Sequence, residues 1–497
     1  MPHPPFIILE EKSDLPLYRQ IYETVRRSIL SGEFHSGKQL PASRFLAKQL
    51  GVSRMTVINA YDQLFAEGYL ESKPGAGTFV AEHLPEEFLN TPRVEPLKSQ
   101  AKFVPRKLKL SAYGKNAAEE SGTILQYNRT TPPVAFQHGL AAVNEFPFDL
   151  WTKLTNKCYR ALEREKFGYG EAAGFFPLRE AIAAHLKSIR GVNCAPEQVI
   201  ITSSAQQAFD LIGRIFLERG AEVWIENPCY FGVKQSFQSF GAKFVPVPVD
   251  ADGFDLAAAF KLSRNARLAY VTPSHQFPLG VTMSLARRLA LLEWARNNDG
   301  WIVEDDYDSE FRYTGRPLPS LQGLDRDGRV LYVGTFSKTV FPALRIGCLV
   351  VPPDLIEIFT TVRALSGSHA PLIEQATLAE FIAEGHFGRH LRRMRRLYEE
   401  RQEILVYEIK KHLAGRLEVK NLISGMHIVG WLPDGVDDRL TAAKAAEFGI
   451  TTGTVSSHSL TRWTRGGLIL GYTATSEEQI KKGVRQLAKA LKSLPKK

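Results

Sequence analysis

The segment GTFSKTVFPALRIG (334–347) follows the apolar run VLYV, a pattern that predicts a buried strand ending just before Ser337 and Lys338. Two further apolar runs, QVIIT and GWIVE, also end in polar residues. Ligands of α/β proteins lie at the C-terminal ends of parallel strands. We therefore expect one site to gather the polar residues at these strand ends, which are Ser203, Ser204, Asp305, Asp306, Ser337 and Lys338.

From about residue 131 onward, helical patterns such as PLREAIAAHLKSI alternate with short apolar runs such as EVWIE, LAYVT and VLYVGT. This alternation predicts an α/β domain with a mostly parallel sheet. A serine-lysine pair after a strand is common, and aspartates at strand ends are often helix caps, so neither feature marks a site alone. Their combination in one order along the chain favours a ligand site.

The composition bounds the class of protein. The chain has 497 residues, 44% of them hydrophobic and 23% charged, which allows about two to four globular domains. No apolar run approaches the roughly 18 residues that span a bilayer, and the N-terminus lacks a signal-peptide pattern. The four cysteines lie far apart, which argues against a disulfide framework and a zinc site. We expect a cytoplasmic protein with buried thiols, no bound metal and no membrane partner.

The positive charge is unevenly placed. A net charge of +10 suits a polyanionic partner, although many enzymes are equally basic. Between residues 19 and 54 the acidic residues are Glu23 and Glu33, and the basic ones are Arg19, Arg26, Arg27, Lys38, Arg44, Lys48 and Arg54. This asymmetry is suited to facing phosphates.

The first 81 residues predict three helices and a hairpin. Apolar residues at helical spacing in LYRQIYETVRRSIL predict a first helix that stops at Gly32, and SRFLAKQL predicts a second after Pro41. Gly51 supplies the turn, and Ser53 caps a third helix from about Arg54 to Glu67. The alternating residues 69–80 break at KPGAG, which predicts two short strands around a flexible wing tip.

This order of elements is that of a winged helix-turn-helix, with the third helix as the recognition helix. Two helix N-termini and the wing tip are suited to phosphates and base edges of double-stranded operator DNA. The candidate DNA-binding residues are Arg44, Ser53, Arg54, Thr56, Asn59, Lys73, Gly75, Gly77 and Thr78. The alternative is a small helical domain whose arginines are only solvated.

The pattern ILSGEFHSGKQLPASR, then GVSRMTV, then EGYL and GAGTFV, resembles the GntR superfamily of bacterial regulators. The resemblance covers nearly the whole segment 12–81, which we take as the DNA-binding domain. Residues 82–130 carry scattered prolines and mixed charge with no sustained period, which predicts an interdomain linker. Residues 131–497 form the predicted α/β effector and dimerisation domain.

The second domain resembles fold-type I pyridoxal-phosphate aminotransferases, and the whole chain resembles the MocR-type subfamily of GntR regulators. The resemblance implies that Lys338 forms the internal aldimine with pyridoxal 5'-phosphate and that Asp305 pairs with the protonated pyridine nitrogen. Spacing alone does not choose between Asp305 and Asp306. The phosphate binders that the resemblance implies are Ser204, Ala205, Gln206, Thr335, Ser337 and Arg345.

Three tyrosines complete the implied site. Tyr230 matches the residue that stacks on the pyridine ring, and Tyr307 the one that bonds the ring hydroxyl. Tyr169 matches a tyrosine that reaches the phosphate of the other subunit, which implies a homodimer. His275 lies nearby and is assigned no acid-base role, because a lone histidine is more often structural.

Two positions depart from the aminotransferase pattern. Most aminotransferases carry an arginine near the C-terminus that grips the substrate carboxylate, and here GGLILGYTATS places Ile469 at that position. Arg462 and Arg465 in the adjoining loop are the candidate substitutes. The asparagine that often precedes a proline near the cofactor is here Phe277. Both departures point away from an efficient general aminotransferase.

The sequence therefore predicts a DNA-binding transcriptional regulator whose aminotransferase-like domain senses an amine effector, or pyridoxal phosphate itself, at Lys338, with at most a vestigial half-reaction. The first alternative is an active aminotransferase with an appended DNA-binding domain. The second is a regulator that has lost its cofactor and senses by shape.

The segment HFGRHLRRMRRLYEERQEILVYEIKK (386–411) carries eight Lys and Arg against four Glu. We expect a solvated helix face with Leu391, Met394, Leu397 and Tyr398 buried. The alternative is an auxiliary DNA-facing strip that includes Arg392 and Arg396.

Overall fold

The computed structural model describes residues 15–85, 109–115, 118, 135–316 and 318–494, with residues 7, 9, 10 and 13. The chain divides into two compact units, residues 1–108 and 109–497. Most of the predicted linker 82–130 lies outside the described residues. No helix in the described part of the chain is both long enough and apolar enough to cross a bilayer.

The first unit contains the three predicted helices and the hairpin. They are α1 (Leu17–Leu30), α2 (Ser43–Leu50), α3 (Arg54–Ala66), β1 (Leu70–Lys73) and β2 (Gly77–Val80). The helical apolar spacing of the sequence becomes one small core, in which Ile21, Val57 and Leu64 are fully buried. Gly51 ends α2 in the left-handed conformation, with φ of +68°, as its place in the turn requires.

The wing is a two-stranded antiparallel hairpin. Its register runs from the Leu70–Val80 pair to the Lys73–Gly77 pair. The Nε2 of Gln39 donates to the backbone oxygen of Ala76 at 2.6 Å, which ties the wing tip to the loop before α2. A side chain at Gly77 would approach that Nε2 to 2.9 Å, so this glycine allows the close approach.

The second unit is built on an eight-stranded sheet. Its strands are β3 (Val199–Thr202), β4 (Glu222–Asn227), β5 (Lys243–Asp250), β6 (Gly253–Phe254), β7 (Leu268–Val271), β8 (Trp301–Asp306), β9 (Val330–Thr335) and β10 (Gly347–Val350). Their spatial order is β3-β10-β9-β8-β7-β4-β5-β6. The pairs from β5 to β9 are parallel, and β6 and β10 run against their neighbours. The predicted mostly parallel sheet is confirmed.

Helices complete the second unit. They are α4 (Phe148–Ala161), α5 (Phe176–Arg190), α6 (Ala205–Phe216), α7 (Phe231–Ser239), α8 (Leu256–Leu262), α9 (Leu285–Asn297), α10 (Leu321–Leu324), α11 (Ile356–Leu365), α12 (Leu372–Ala383), α13 (His386–His412), α14 (Asp438–Glu447) and α15 (Glu477–Lys492). A second, antiparallel sheet has the order β11 (His427–Trp431), β13 (Gly467–Gly471) and β12 (Gly453–Thr454).

Alternate residues of each central strand enter different cores. Ile225, Tyr270 and Val303 pack with α6, α7 and α11 on one face. Trp224 and Ile302 pack on the opposite face with α8 and α9. Because a strand turns successive side chains to opposite faces, nearly every residue of these strands is buried on one side or the other. The face to which a strand residue points therefore decides which side chains a polar residue at the strand end can contact.

Candidate cofactor site and DNA-binding surface

Lys338 lies three residues beyond β9, at the C-terminal edge of the sheet. Its Nζ donates to the backbone oxygen of Gly139 at 2.5 Å, and a side chain at Gly139 would approach Nζ to 3.2 Å. Burial lowers the pKa of Lys338, while the nearby carboxylates of Asp308 and Asp305 act in the opposite direction. A buried amine with a lowered pKa is the form of lysine that reacts with carbonyl compounds.

The neighbouring carboxylates at the end of β8 face opposite sides of the sheet. Asp305 shares the face of Tyr270, whose hydroxyl donates to its Oδ2 at 2.6 Å. Asp306 faces the other side, where its Oδ2 accepts from Arg190 Nε at 2.7 Å and from the Tyr332 hydroxyl at 2.8 Å. Asp306 is therefore already neutralised by a buried arginine, whereas Asp305 is bonded by a neutral phenol.

The pKa values of the two carboxyl groups diverge for the same reason. Burial raises the pKa of Asp305 to about 7, which the bond from Tyr270 only partly offsets. Burial also acts to raise the pKa of Asp306, but the charge of Arg190 and the hydrogen bonds that the carboxylate accepts together outweigh it, and the net pKa is lowered. A buried carboxyl that is not paired with an arginine is suited to receive a protonated ring nitrogen. The structure thus favours Asp305 where spacing left both open.

Sequence reasoning missed Tyr270 as the partner of Asp305. Tyr270 is fully buried within LAYV and has the pattern of an ordinary core residue in a strand. Only the parallel pairing of β7 with β8, which places Tyr270 beside Val303 in register, brings the phenol to the carboxylate. Tyr270 is identified by tertiary geometry and by no motif.

Tyr307, His275 and Asp308 form a hydrogen-bonded group beside Lys338. The Tyr307 hydroxyl donates to the His275 backbone oxygen at 3.0 Å and lies 3.0 Å from His275 Nδ1. The same Nδ1 lies 3.0 Å from Asp308 Oδ2. Burial raises the pKa of Asp308, and His275 counteracts this. His275 is thus held in place by two partners, in keeping with a structural role. Asp308, which the sequence analysis did not single out, lies close enough to Lys338 to affect its pKa.

Tyr230 immediately precedes α7 and lies at the same edge of the sheet. Burial and the charge of Asp305 raise its pKa to about 12, and Arg345 counteracts them. Its ring lies 5.9 Å from that of Phe277 and nearly perpendicular to it. Tyr230 is therefore within electrostatic range of both the carboxylate and the arginine of the predicted cofactor site.

The N-terminus of α6 lies at this edge and offers backbone donors. Ser204 caps the helix, with its hydroxyl accepting from the Gln207 backbone N–H at 3.3 Å. The first-turn N–H groups, those of Ala205 and Gln206, have no intrahelical acceptor and attract anions. The Gln206 side-chain amide instead donates to Gly232 O at 2.8 Å and Ser236 Oγ at 2.9 Å. The backbone N–H of Gln206 can therefore still donate to a phosphate, as predicted, whereas its side-chain amide already donates within the protein.

The other predicted phosphate binders follow β9. Thr335 Oγ1 accepts from the Ser337 backbone N–H at 3.2 Å. Arg345 has a left-handed backbone, with φ of +56°, and an exposed side chain. Together with the α6 N-terminus, these hydroxyl, amide and guanidinium groups fit a phosphate monoester. With the amine of Lys338 and the carboxyl of Asp305, the donor set fits pyridoxal phosphate.

Tyr169 is 97% exposed in the single chain. It lies in the loop before α5, and its ring is 6.3 Å from that of His369. A tyrosine this exposed makes little contact within its own chain, so the structure leaves it accessible to a second subunit. Its predicted role across a homodimer remains a prediction.

Ile469 is fully buried in β13, in an apolar cluster with Val429 and Val455. Arg465 pairs with Glu418 at 2.6 Å and lies over the Trp431 ring, and Arg462 is exposed. The position where an arginine is typical of aminotransferases is therefore part of the core. Arg465 is engaged elsewhere.

The predicted DNA-binding residues lie on the surface of the first unit. Ser53 caps α3 by accepting from the Thr56 backbone N–H at 3.1 Å. Arg54 Nε is 3.5 Å from Ser43 Oγ, so the N-termini of α2 and α3 adjoin. The exposed residues of this surface are Arg44, Ser53, Arg54, Asn59, Lys73, Gly75 and Gly77, and Thr56 and Thr78 are half-buried. This arrangement leaves most of the candidate residues accessible to a duplex.

Other basic residues of the first unit are engaged within it. Arg26 Nε donates to the Tyr69 hydroxyl at 2.9 Å, and its guanidinium lies over that ring. Arg19 pairs with Glu23 at 3.4 Å. Lys73 in the wing pairs with Glu71 at 3.3 Å. Part of the positive charge that the sequence predicted to face phosphates is therefore already paired within the unit, whereas Arg44 and Arg54 are exposed.

The basic helix α13 buries Leu391, Met394 and Tyr398, as predicted, and Leu397 is half-buried. Arg392 and Arg396 are exposed. The helix is thus amphipathic with a solvated basic face, and its role as a DNA-facing strip remains a prediction.

Comparison with known proteins supports both halves of this description. The family described as "Bacterial regulatory proteins, gntR family" matches residues 17–80, and that described as "Aminotransferase class I and II" matches residues 140–487. The probable rhizopine catabolism regulatory protein MocR of Rhizobium meliloti is 40% identical over 489 residues, covering 98% of this chain and 96% of that protein. The chain belongs to the MocR-type subfamily of GntR regulators.

A second relative of this MocR-type regulator is the pyridoxine biosynthesis transcriptional regulator PdxR of Corynebacterium glutamicum. It is 31% identical over 95% of each chain. Both relatives are named as regulators, and this chain matches them over nearly their whole length. This favours regulation over catalysis as the function. The chain is accordingly a DNA-binding transcriptional regulator.

Solved aminotransferases share the fold of the second unit. LysN, the α-aminoadipate aminotransferase of Thermus thermophilus, has a TM-score of 0.70 and 29% identity over 77% of this chain and 98% of that one. Kynurenine aminotransferase of Pyrococcus horikoshii has a TM-score of 0.69 and 27% identity over 78% and 97%. The MocR-type regulator therefore carries a fold-type I domain, which implies a pyridoxal phosphate site.

Proposed function

We propose that this regulator binds pyridoxal phosphate at Lys338 and changes its affinity for operator DNA when an amine, or the cofactor itself, occupies that site. The observation that carries the proposal is the convergence of a half-buried amine, a buried carboxyl with no arginine partner and a helix N-terminus at one edge of the sheet. Two hydrogen bonds, from Tyr270 to Asp305 and from Lys338 to Gly139, hold the carboxyl and the amine at this edge.

Each residue has a distinct task. When bound, the cofactor supplies an aldehyde that exchanges amines. Lys338 provides the amine that holds it, and burial keeps this amine close to its neutral, nucleophilic form. Asp305 would accept the N–H of the protonated ring nitrogen, and Tyr270 fixes the orientation of its carboxyl. Arg345, Ser337, Thr335 and the α6 N-terminus bind the phosphate.

Dimerisation completes the site in this proposal. The exposure of Tyr169 supports a contact with the phosphate bound in a second copy of the chain. A dimer also suits operator recognition, since two winged helices bind two half-sites. Binding of an effector at the two Lys338 sites of the dimer then changes how its two DNA-binding units engage the operator. A coupling free energy of about 1–3 kcal/mol changes operator affinity by about 5- to 150-fold.

The proposal is tested by adding pyridoxal phosphate to the purified full-length protein and recording its visible spectrum and its operator affinity. We expect saturable binding with a spectrum distinct from that of the free cofactor, and an operator affinity that depends on an added amine. A protein that takes up no cofactor at stoichiometric concentrations would contradict the proposal and support a regulator that senses by shape alone.

The second candidate is an active aminotransferase with an appended DNA-binding domain. The retained amine, carboxyl and phosphate donors favour it, and the buried Ile469 opposes it because no cation stands at that position to hold a substrate carboxylate. We expect at most one slow half-reaction per site. Repeated amino transfer to a keto acid, measured as product exceeding the protein concentration many times, would establish the enzyme instead.

A further inference from the structure

Three histidines surround Phe277 beside the Lys338 site. We call His138, His427 and His458 the imidazole cluster. Their rings lie 5.8, 5.4 and 4.9 Å from that of Phe277. His138 is 6.0 Å from His458 and 6.4 Å from His427. The three residues come from distant parts of the chain and meet only in the folded unit.

The imidazole cluster borders both Lys338 and Ile469. His138 immediately precedes Gly139, whose backbone oxygen accepts from Lys338 Nζ at 2.5 Å. A side chain at Gly453 would meet the His138 ring at 2.7 Å and Ile469 Cδ1 at 3.2 Å, so these two side chains converge on one point. A ligand amine directed at Lys338 would therefore place its substituents near these imidazoles and Ile469.

The hydrogen bonds of two rings fix what they can offer to a ligand. His427 Nε2 lies 3.0 Å from the Pro278 backbone oxygen, and His458 Nδ1 lies 3.2 Å from that of Cys229. Each contact requires an N–H on that nitrogen, because a carbonyl oxygen only accepts. In a neutral ring the second nitrogen then carries a lone pair. It accepts from an O–H or N–H and has nothing to donate to a carboxylate.

The surroundings keep these rings neutral. Burial lowers the pKa of His458 to about 4 and that of His138 to about 3, with neighbouring charges adding to the effect on His138. Burial also lowers the pKa of His427. With apolar Ile469 beside them, a carboxylate in this place would lose its water without gaining a cationic partner, which is costly. A hydroxyl group would find an acceptor.

We infer that the effector is an amine that carries hydroxyl groups and no carboxylate, with its hydroxyls directed at the imidazole cluster. This inference rests on the proposed function, because it assumes that the amine is recognised at Lys338. It separates the ligand of this regulator from the α-amino acids that suit an arginine-bearing site. The test therefore compares ligands that differ only in the group facing the cluster.

The probes are 2-amino-1,3-propanediol, L-serine and isopropylamine, which present two hydroxymethyl groups, one hydroxymethyl with a carboxylate, and two methyl groups. Each is titrated into the full-length protein loaded with pyridoxal phosphate, and dissociation constants are measured by calorimetry and from operator binding. We expect the aminodiol to bind at least about tenfold more tightly than either other probe. Equal or tighter binding of serine overturns the inference, and equal binding of isopropylamine overturns its hydroxyl component.

Matched variants locate the effect. His427→Leu should abolish the advantage of the aminodiol over isopropylamine. His390→Leu should retain it, because His390 is also buried but packs against Phe146 in another part of the unit. An unchanged preference in His427→Leu overturns the assignment to the cluster. Ile469→Arg, checked for folding by thermal melting, should shift preference towards serine, and a folded variant without that shift also contradicts the inference.

The two levels of the proposal fail differently. Absence of cofactor binding by the wild-type protein contradicts the proposed function. Normal cofactor binding together with a preference for serine leaves the proposed function standing and contradicts only the ligand class.

Discussion

The DNA-binding surface and the Lys338 site use charge in opposite ways. Around α3 the charged side chains, such as Arg54, are exposed and lie in water. Around β8 and β9 the carboxyl groups of Asp305 and Asp306 are buried and Lys338 is half-buried, and the pKa values of all three are shifted. An exposed arginine can bind any phosphate that approaches it, because it is already hydrated. A buried carboxyl or amine has lost its water and needs a specific partner. The contrast is the one expected between a surface that binds a polyanion and a site that selects one small molecule.

The largest expected effect is at Lys338. Lys338→Ala removes the amine proposed to hold the cofactor, so we expect the variant to fold and dimerise but to lose the visible absorbance of bound pyridoxal phosphate and the response of operator binding to amines. Lys261→Ala, an exposed lysine on α8, serves as the control and should behave as the wild type. A Lys338→Ala protein with a normal effector response would show that the site works without this amine.

The next effect distinguishes the two aspartates. Asp306→Ala leaves Arg190 buried without its carboxylate, which should lower the free energy of unfolding by about 3–5 kcal/mol. Asp305→Asn keeps the shape and removes a buried charge, so it should fold normally while weakening cofactor binding. Urea unfolding of the cofactor-free proteins and spectral titration measure the two properties. The assignment is wrong if the two variants lose stability and cofactor affinity to the same degree.

The pKa of Asp305 predicts a pH dependence. Burial raises it to about 7 in the folded chain, from an ordinary value of 3.8. Because the folded state then binds a proton more tightly than the unfolded state, Asp305 lowers stability progressively as the pH rises from about 4 to 7, and the loss is complete above 7. The advantage of cofactor-free Asp305→Asn over the wild type should grow over that interval. Thermal melting at several pH values checks this, and a constant difference would contradict it.

A smaller effect is expected at the DNA surface. Arg54→Ala should weaken operator binding by about 1–3 kcal/mol, and if the arginine contacts a phosphate, the salt slope should fall by about 1. Arg26→Ala is the matched control, because Arg26 is engaged by Tyr69. It should leave the salt slope unchanged. Binding isotherms at several salt concentrations measure both, and equal slopes for Arg54→Ala and the wild type would remove Arg54 from the phosphate contacts.

The smallest effect concerns the cap of α3. Ser53→Ala removes the side-chain acceptor for the Thr56 N–H and should cost about 1 kcal/mol of local stability. Hydrogen exchange of the α3 amides in the full-length protein measures it. Ser53→Asp restores an acceptor and should return protection. If protection of α3 were the same in Ser53→Ala, the cap would contribute nothing measurable.

Local sequence signals determined most of the secondary structure of this protein and the location of Lys338 in it. Helical spacing, Gly51 and the Ser53 cap predicted the winged helix to within a residue or two, because caps and turns act between residues close in sequence. The α/β alternation predicted the parallel sheet, and the position of Lys338 after VLYV predicted the edge at which it lies. Ile469 also signalled the departure from a carboxylate-binding site, because an apolar side chain stands where an arginine is typical.

Tertiary structure decided what depended on strand parity and on long-range contacts. Spacing could not choose between Asp305 and Asp306, since only strand pairing and the position of α5 show which carboxyl meets Arg190. The partner of Asp305, Tyr270, is indistinguishable from a core residue in sequence. The imidazole cluster joins residues 138, 427 and 458, and nothing in the local pattern relates them. The sequence by itself therefore determined the helices and strands and the place of Lys338 among them. Packing between distant segments determined which side chains surround Lys338.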